Sequence, residues 1–190
     1  MLPLQAETAP NEWAKWFRTV PLPARTIELI DPSLRTIIRS LVSGVLPWPL
    51  FLHGPVGTGK TCAALCLLDR AKGIYQTVGQ LCDQVNLARS GRLESPTIEG
   101  RGGLVFPERL WVIVSRAPLM VLDELGLRSS VSDAHYEAVK ECVDHRLGKP
   151  FVVISNLPLA EITRIYDDRI FSRLASGTVF ELGGPDRRLT

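Results

Sequence analysis

No run of this 190-residue chain is long and apolar enough to suggest a membrane-spanning helix, which takes about 18 uncharged residues or more. The first residues, from Met1 through Pro3 to Glu7, offer neither a basic start nor an apolar stretch, so no secretory signal is expected. Cysteine is scarce: Cys62, Cys66, Cys82 and Cys142 include no C-x-x-C pair. Cys142 and His145 lie three apart on an expected helix, but two ligands without a second pair make a poor zinc site. All four are expected as free thiols in a reducing compartment, and the expected location is cytoplasmic with no membrane association. A dominant charge is also missing: the net charge is +2, which by itself points to no partner. Lysine is rare, at 5 against 17 arginines. Arginine suits bidentate contact with phosphates and carboxylates, although a GC-rich genome gives the same bias.

What the chain does have is a glycine-rich turn. Gly54, Pro55, Val56, Gly57, Thr58, Gly59, Lys60 and Thr61 fit the G-x-x-x-x-G-K-[ST] phosphate loop without a gap. The turn follows a short apolar strand that begins at Leu50, and Lys60 opens a helix. Polyphosphate needs backbone N–H groups converging at close range, so side chains must be missing where the turn curls. The dipole of the following helix favours the same anion. Lys60 is expected on the β- and γ-phosphates of ATP, and the Thr61 hydroxyl in the coordination shell of Mg²⁺.

The length fits one domain, and the 45% hydrophobic fraction is ordinary for a globular protein. Residues 1–30 read as a short N-terminal extension and 31–190 as the main domain. In the extension, Asn11 is able to cap a short helix with Trp13, Trp16 and Phe17 on one face, which either folds back on the domain or docks another protein. Asp31 and Pro32 start a helix running to Val42. Helix is expected from near Lys60 to Lys72, where Gly73 stops it, and again over 79–90 with Leu81, Val85 and either Leu87 or Ala88 inward. Strand is expected over 73–78. Residues 90–107, rich in glycine and proline, form a long loop before a helix over 108–116. Further helices are expected over 132–147, capped by Ser132, over 159–165 and over 168–174. The runs 118–124 and 149–156 are apolar without alternation, which fits strands covered on both faces, and 178–182 is the last strand. This order gives an α/β fold, a three-layer sandwich around a five-stranded parallel sheet.

Ligands of such sheets sit at the carboxyl ends of the strands. Asp123, after four apolar residues, matches the carboxylate that holds Mg²⁺ through water opposite Thr61, and Glu124 is placed to deprotonate the attacking water. Asn156, at the end of another strand, is able to hydrogen-bond that water or the γ-phosphate, although Asn also favours turns.

The phosphate loop, the Asp123-Glu124 strand end, Asn156 and the stretch holding Arg169 and Arg173 together resemble the AAA+ ATPases, above all the helicase-loader branch that includes DnaC and the transposition helper IstB. The resemblance covers roughly residues 45–182. It implies that Asn156 is the sensor residue, that Arg173 is an arginine finger on a neighbouring subunit's ATP, and that Arg169 holds that interface. It also implies head-to-tail homo-oligomers on single-stranded DNA, serving a replicative helicase or a transposase. The C-terminal helical lid of most AAA+ proteins is not expected here. For DNA the resemblance points to Arg89, Arg92, Arg101 and Arg109, where loaders carry an extra helix, and to Tyr136. Residues 79–118 hold five arginines but also four acids, so a solvated face is the competing reading. A small P-loop kinase and a nucleotide-gated binding module remain alternatives. The acidic pair and the missing lid favour water as the acceptor over a kinase substrate.

Overall fold

A computed structural model describes residues 30–71, 73–94, 103–127 and 131–186. The expected helix at Asn11 and its aromatic face lie outside the described residues, as do Lys72 and Arg101. In chain order the elements are α1 (Pro32–Val42), β1 (Leu50–His53), α2 (Lys60–Ala71), β2 (Ile74–Thr77), α3 (Val78–Arg89), α4 (Pro107–Arg116), β3 (Met120–Leu125), α5 (Asp133–Arg146), β4 (Phe151–Ser155), α6 (Leu159–Ile165), α7 (Asp168–Ala175) and β5 (Thr178–Glu181). All five strands run parallel in the order β2-β3-β4-β1-β5. The fold is therefore the α/β sandwich that the apolar runs predict. Among the described residues there is no separate helical lid domain, and no helix is long and apolar enough to cross a membrane.

Alternate strand residues face opposite layers, which is why the runs are apolar throughout. Phe51, Ile74, Met120, Leu122, Phe151 and Val153 face one core with the inner sides of α3, α4 and α5. Leu50, Leu52, Tyr75, Val121, Val152 and Ile154 face the other, closed by α1 and α2. Local signals set the helix ends. The Asp31 carboxylate accepts from Ser33 N at 2.9 Å and Leu34 N at 3.3 Å, and Ser132 Oγ accepts from His135 N at 3.4 Å. Thr77 and Gln80 close a reciprocal capping box on α3, which starts there rather than at 79. Within α3 Ala88 turns inward and Leu87 stays at the surface.

The loop after α3 is pinched at its base, where Glu94 and Leu104 form an isolated antiparallel bridge and Val105 N donates to Leu93 O at 2.7 Å. Arg146, fully buried, holds the far end of α4. Its guanidinium donates to Val114 O (3.1 Å), Ser115 O (3.4 Å), Ala117 O (2.8 Å) and Pro150 O, satisfying carbonyls that the helix end leaves open. The four cysteines are free; Cys62 is exposed and the other three are buried.

Candidate functional site

Strand register places the chemistry. His53 of β1 is level with Ser155 of β4, and Ser155 with Leu125 of β3, so three strands end together at one edge of the sheet. Ser155 Oγ locks that edge by donating to Leu125 O at 2.7 Å while accepting from Leu157 N at 3.0 Å. Asn156 emerges there, exposed, between the strand that enters the glycine turn and the strand that carries Asp123.

Two of the loop's glycines are required by backbone or neighbouring atoms. Gly54 has φ 140°, and a methyl group on it would lie 2.2 Å from Leu182 O. Gly57 has φ 81°, a left-handed conformation that costs an L side chain. Lys60 is buried inside the turn and its Nζ donates to Gly54 O at 2.7 Å and Pro55 O at 2.6 Å. The ammonium is thus held within the curl by neutral carbonyls, where it is a fixed positive charge for an anion. One anion already lies there: a methyl group on Gly57 would meet Asp186 Oδ1 at 1.9 Å and Oδ2 at 2.5 Å. The Asp186 carboxylate therefore packs directly against the bare backbone of the turn. A cradle that receives a carboxylate against a bare glycine fits a phosphate chain.

Asp123 is buried at the end of β3 with every oxygen engaged. Its Oδ2 accepts from Thr61 Oγ1 at 2.8 Å and from Tyr75 Oη at 2.9 Å, and its Oδ1 accepts from Glu124 N at 2.7 Å. Burial and then Asp123 push the Tyr75 hydroxyl well above its ordinary pKa, so it stays a proton donor. The hydroxyl and carboxylate that would flank a hard divalent cation therefore meet, and oxygen donors of this kind fit Mg²⁺.

Immediately after Asp123 the strand breaks its rule. Glu124 has φ 65°, and the β3–β4 register shifts between Leu122 and Leu125. Such a bulge re-aims side chains, and a non-glycine residue with positive φ is a strained position that clusters at functional sites. Asp123 stays inside while Glu124 turns out to solvent. Burial, then the neighbouring Asp123, raises the Glu124 carboxyl above the usual glutamate range, which makes it a better proton acceptor once ionised. His53 at the end of β1 is shifted down, chiefly by burial and also by Lys60, with Glu181 opposing.

Arg169 and Arg173 lie on α7. Both arginines reach Asp144 on α5: Arg169 Nη2 at 3.6 Å and Arg173 through its Nε. Asp167 has another task. It caps α7, accepting from Ile170 N at 2.9 Å, and accepts from Tyr136 Oη at 2.6 Å. Burial would raise the Asp167 carboxyl, but these bonds and Arg169 outweigh it and hold it below its ordinary value.

The described DNA candidates are scattered, with Arg89, Arg109 and Tyr136 on three different helices and Arg92 on none. Arg89 ends α3 and pairs with Glu141 at 3.4 Å; Arg92 is exposed just beyond it; Arg109 is exposed on α4. Tyr136, on the first turn of α5, is half-buried against the core.

Sequence reasoning missed Tyr75, Asp144 and Asp186. Tyr75 sits in a short strand with nothing to separate it from a core aromatic, and Asp144 and Asp186 gain meaning only from elements distant in sequence.

No protein-family model matches the chain, and no curated protein matches it. Solved structures do. AMPPCP-bound DnaA from Aquifex aeolicus superposes with a TM-score of 0.62 at 19% identity, over 84% of this chain and 50% of that chain. Domain III of the Thermotoga maritima replication initiation protein DnaA gives 0.64 at 20% identity, over 89% and 71%. The DnaC helicase loader gives 0.58 at 16% identity, over 81% and 92%. The chain thus spans about half the length of the Aquifex aeolicus initiator. At these identities the likeness establishes the fold, which is the P-loop α/β fold of AAA+ type.

Proposed function

We propose that this chain is a Mg²⁺-dependent ATPase of the helicase-loader type, which assembles head to tail on single-stranded DNA. The observation that carries the proposal is the separation of two carboxylates by the β3 bulge: Asp123 bonded inward to Thr61 at 2.8 Å, Glu124 turned outward. ATP places its phosphates in the 54–61 turn, against Lys60 and the amides of the first turn of α2. Thr61 would hold Mg²⁺ directly and Asp123 through water, and the ion would neutralise charge on the phosphates. Glu124 accepts a proton from water in line with the γ-phosphate, and Asn156 orients that water. The exposed Glu124 favours water over a kinase acceptor.

Arg173 acts in trans as the arginine finger, exchanging its pair with Asp144 for a neighbour's γ-phosphate, while Arg169 holds the interface. Single-stranded DNA runs past Arg92, with Arg89, Arg101, Arg109 and Tyr136 as further contacts repeated from subunit to subunit. The similarity in fold to replication initiators and to a helicase loader supports a replicative helicase as protein partner. An IstB-like transposition helper is the alternative, with a transposase in that place. Helicase deposition on closed circular single-stranded DNA separates the two.

Lys60→Ala is expected to abolish ATP binding, whereas Glu124→Gln keeps binding and loses turnover about a hundredfold or more, measured by calorimetry beside phosphate release. Because the Glu124 carboxyl is raised, wild-type turnover falls on acidification from above the ordinary glutamate pKa, as the base takes up its proton. Equal loss of nucleotide affinity in both variants contradicts these roles.

Mixing inactive Arg173→Ala with inactive Lys60→Ala is expected to restore ATPase, since some interfaces then join an intact loop to an intact finger. An arginine finger contributes on the order of 10³-fold, so recovery stands well above either parent. No recovery at any ratio rules out action in trans.

For DNA, Arg92→Ala combined with Tyr136→Ala is expected to weaken single-stranded DNA binding in ATP, and Arg92→Ala alone to flatten its salt dependence. Fluorescence anisotropy at two salt concentrations decides this; unchanged binding moves the DNA path elsewhere.

A further inference from the structure

The backbone ladder does not stop with β5. Leu182 N donates to His53 O at 2.7 Å, which carries the chain one residue further and lays it against the start of the glycine turn. The contact is so close that Gly54 has no room for a Cβ beneath Leu182 O. Gly184 then takes φ 115°, a turn that a side chain would resist, and the chain doubles back to Asp186. Its carboxylate packs directly against Gly57: a methyl group there would lie 1.9 Å from Oδ1, 2.0 Å from Cγ and 2.5 Å from Oδ2. A carboxylate is a planar anion with two acceptor oxygens, and the turn holds its ammonium, Lys60 Nζ, on the carbonyls of Gly54 and Pro55. A carboxylate packed against this glycine occupies space beside the turn that a phosphate chain would need.

We infer that Asp186 is a built-in competitor for the phosphate site. The inference rests on the reading of residues 54–61 as a nucleotide loop, and it adds a regulatory element to that site. A side chain tethered five residues beyond β5 competes at an effective concentration in the millimolar range, so a singly charged anion is able to hold its place against dilute nucleotide. A triphosphate carries more charge and more acceptor oxygens, and it wins once its concentration is sufficient. The apparent nucleotide affinity is lowered by the fraction of molecules in which Asp186 occupies the turn. Nucleotide binding in turn displaces residues 183–186 from the loop, so the position of this segment reports whether the site is filled.

The test uses the full chain and two probes, MgATP and inorganic tripolyphosphate, titrated calorimetrically against wild type, Asp186→Asn and Asp186→Ala. Asn keeps the shape and removes the charge; Ala removes both. The expected result is a three- to tenfold tighter binding of both probes to both variants, with circular dichroism spectra matching wild type. Tripolyphosphate carries the decision, because it has no base or ribose to report on other contacts. Affinity equal to wild type in both variants overturns the inference, since the carboxylate then competes for nothing. Weaker binding overturns it in the opposite direction, making Asp186 a support for bound phosphate. Wild type that binds neither probe, with every variant equally silent, overturns the nucleotide reading itself and the competitor with it.

Discussion

The Asp123 carboxylate joins the parts of this site. It lies buried at the end of the central strand β3, and three donors reach it from different elements: Thr61 from the start of α2, Tyr75 from β2, and the backbone of Glu124. Each donor fixes one coordinate of the edge. Thr61 ties the phosphate turn to β3, Tyr75 ties the neighbouring strand, and the Glu124 amide fixes the bulge that sends the next side chain outward. An unshared buried carboxylate would be costly; three donors offset that cost and fix its direction. The two acidic residues, adjacent in sequence, thereby acquire opposite environments. Separation of that kind lets one carboxylate hold a cation while the other accepts a proton.

The arginines of α7 show the same economy at a different surface. Both contact Asp144, and α7 is itself aligned by Asp167, whose carboxylate accepts from Tyr136 and caps the helix. Tyr136 and Asp144 share α5, so one helix sets both the direction of α7 and the partner of its arginines. The Arg169 pair is exposed and contributes about 1 kcal/mol or less, whereas Arg173 is half-buried against Asp144.

Most of the fold is legible in the sequence because each parallel strand, covered on both faces, has to be apolar along its whole length. The runs ending at Glu124 and Asn156 are strands for that reason. Asp31 before Pro32 and Ser132 before a helical period mark helix starts through the backbone amides they satisfy. The phosphate turn is legible because glycine is needed where backbone and ligand meet closely. What sequence does not convey is lateral. Nothing in the 74–77 run tells that Tyr75 faces Asp123, because the neighbour of β2 is decided by topology. The positive φ at Glu124 has no glycine or asparagine to announce it. Asp144 lies 25 and 29 residues from the two arginines it holds, and Asp186 lies 129 residues from Gly57.

The division of labour between Asp123 and Glu124 is most directly tested by the Mg²⁺ dependence of ATP affinity. Titration of fluorescent ATP in Mg²⁺ and in chelator, on Asp123→Asn and Glu124→Gln, isolates the cation from the chemistry. This division predicts that Asp123→Asn loses the enhancement by Mg²⁺ about tenfold or more, as changes to groups that hold a metal indirectly do, while Glu124→Gln retains it in full. Equal loss in the two variants, or full retention in Asp123→Asn, contradicts it.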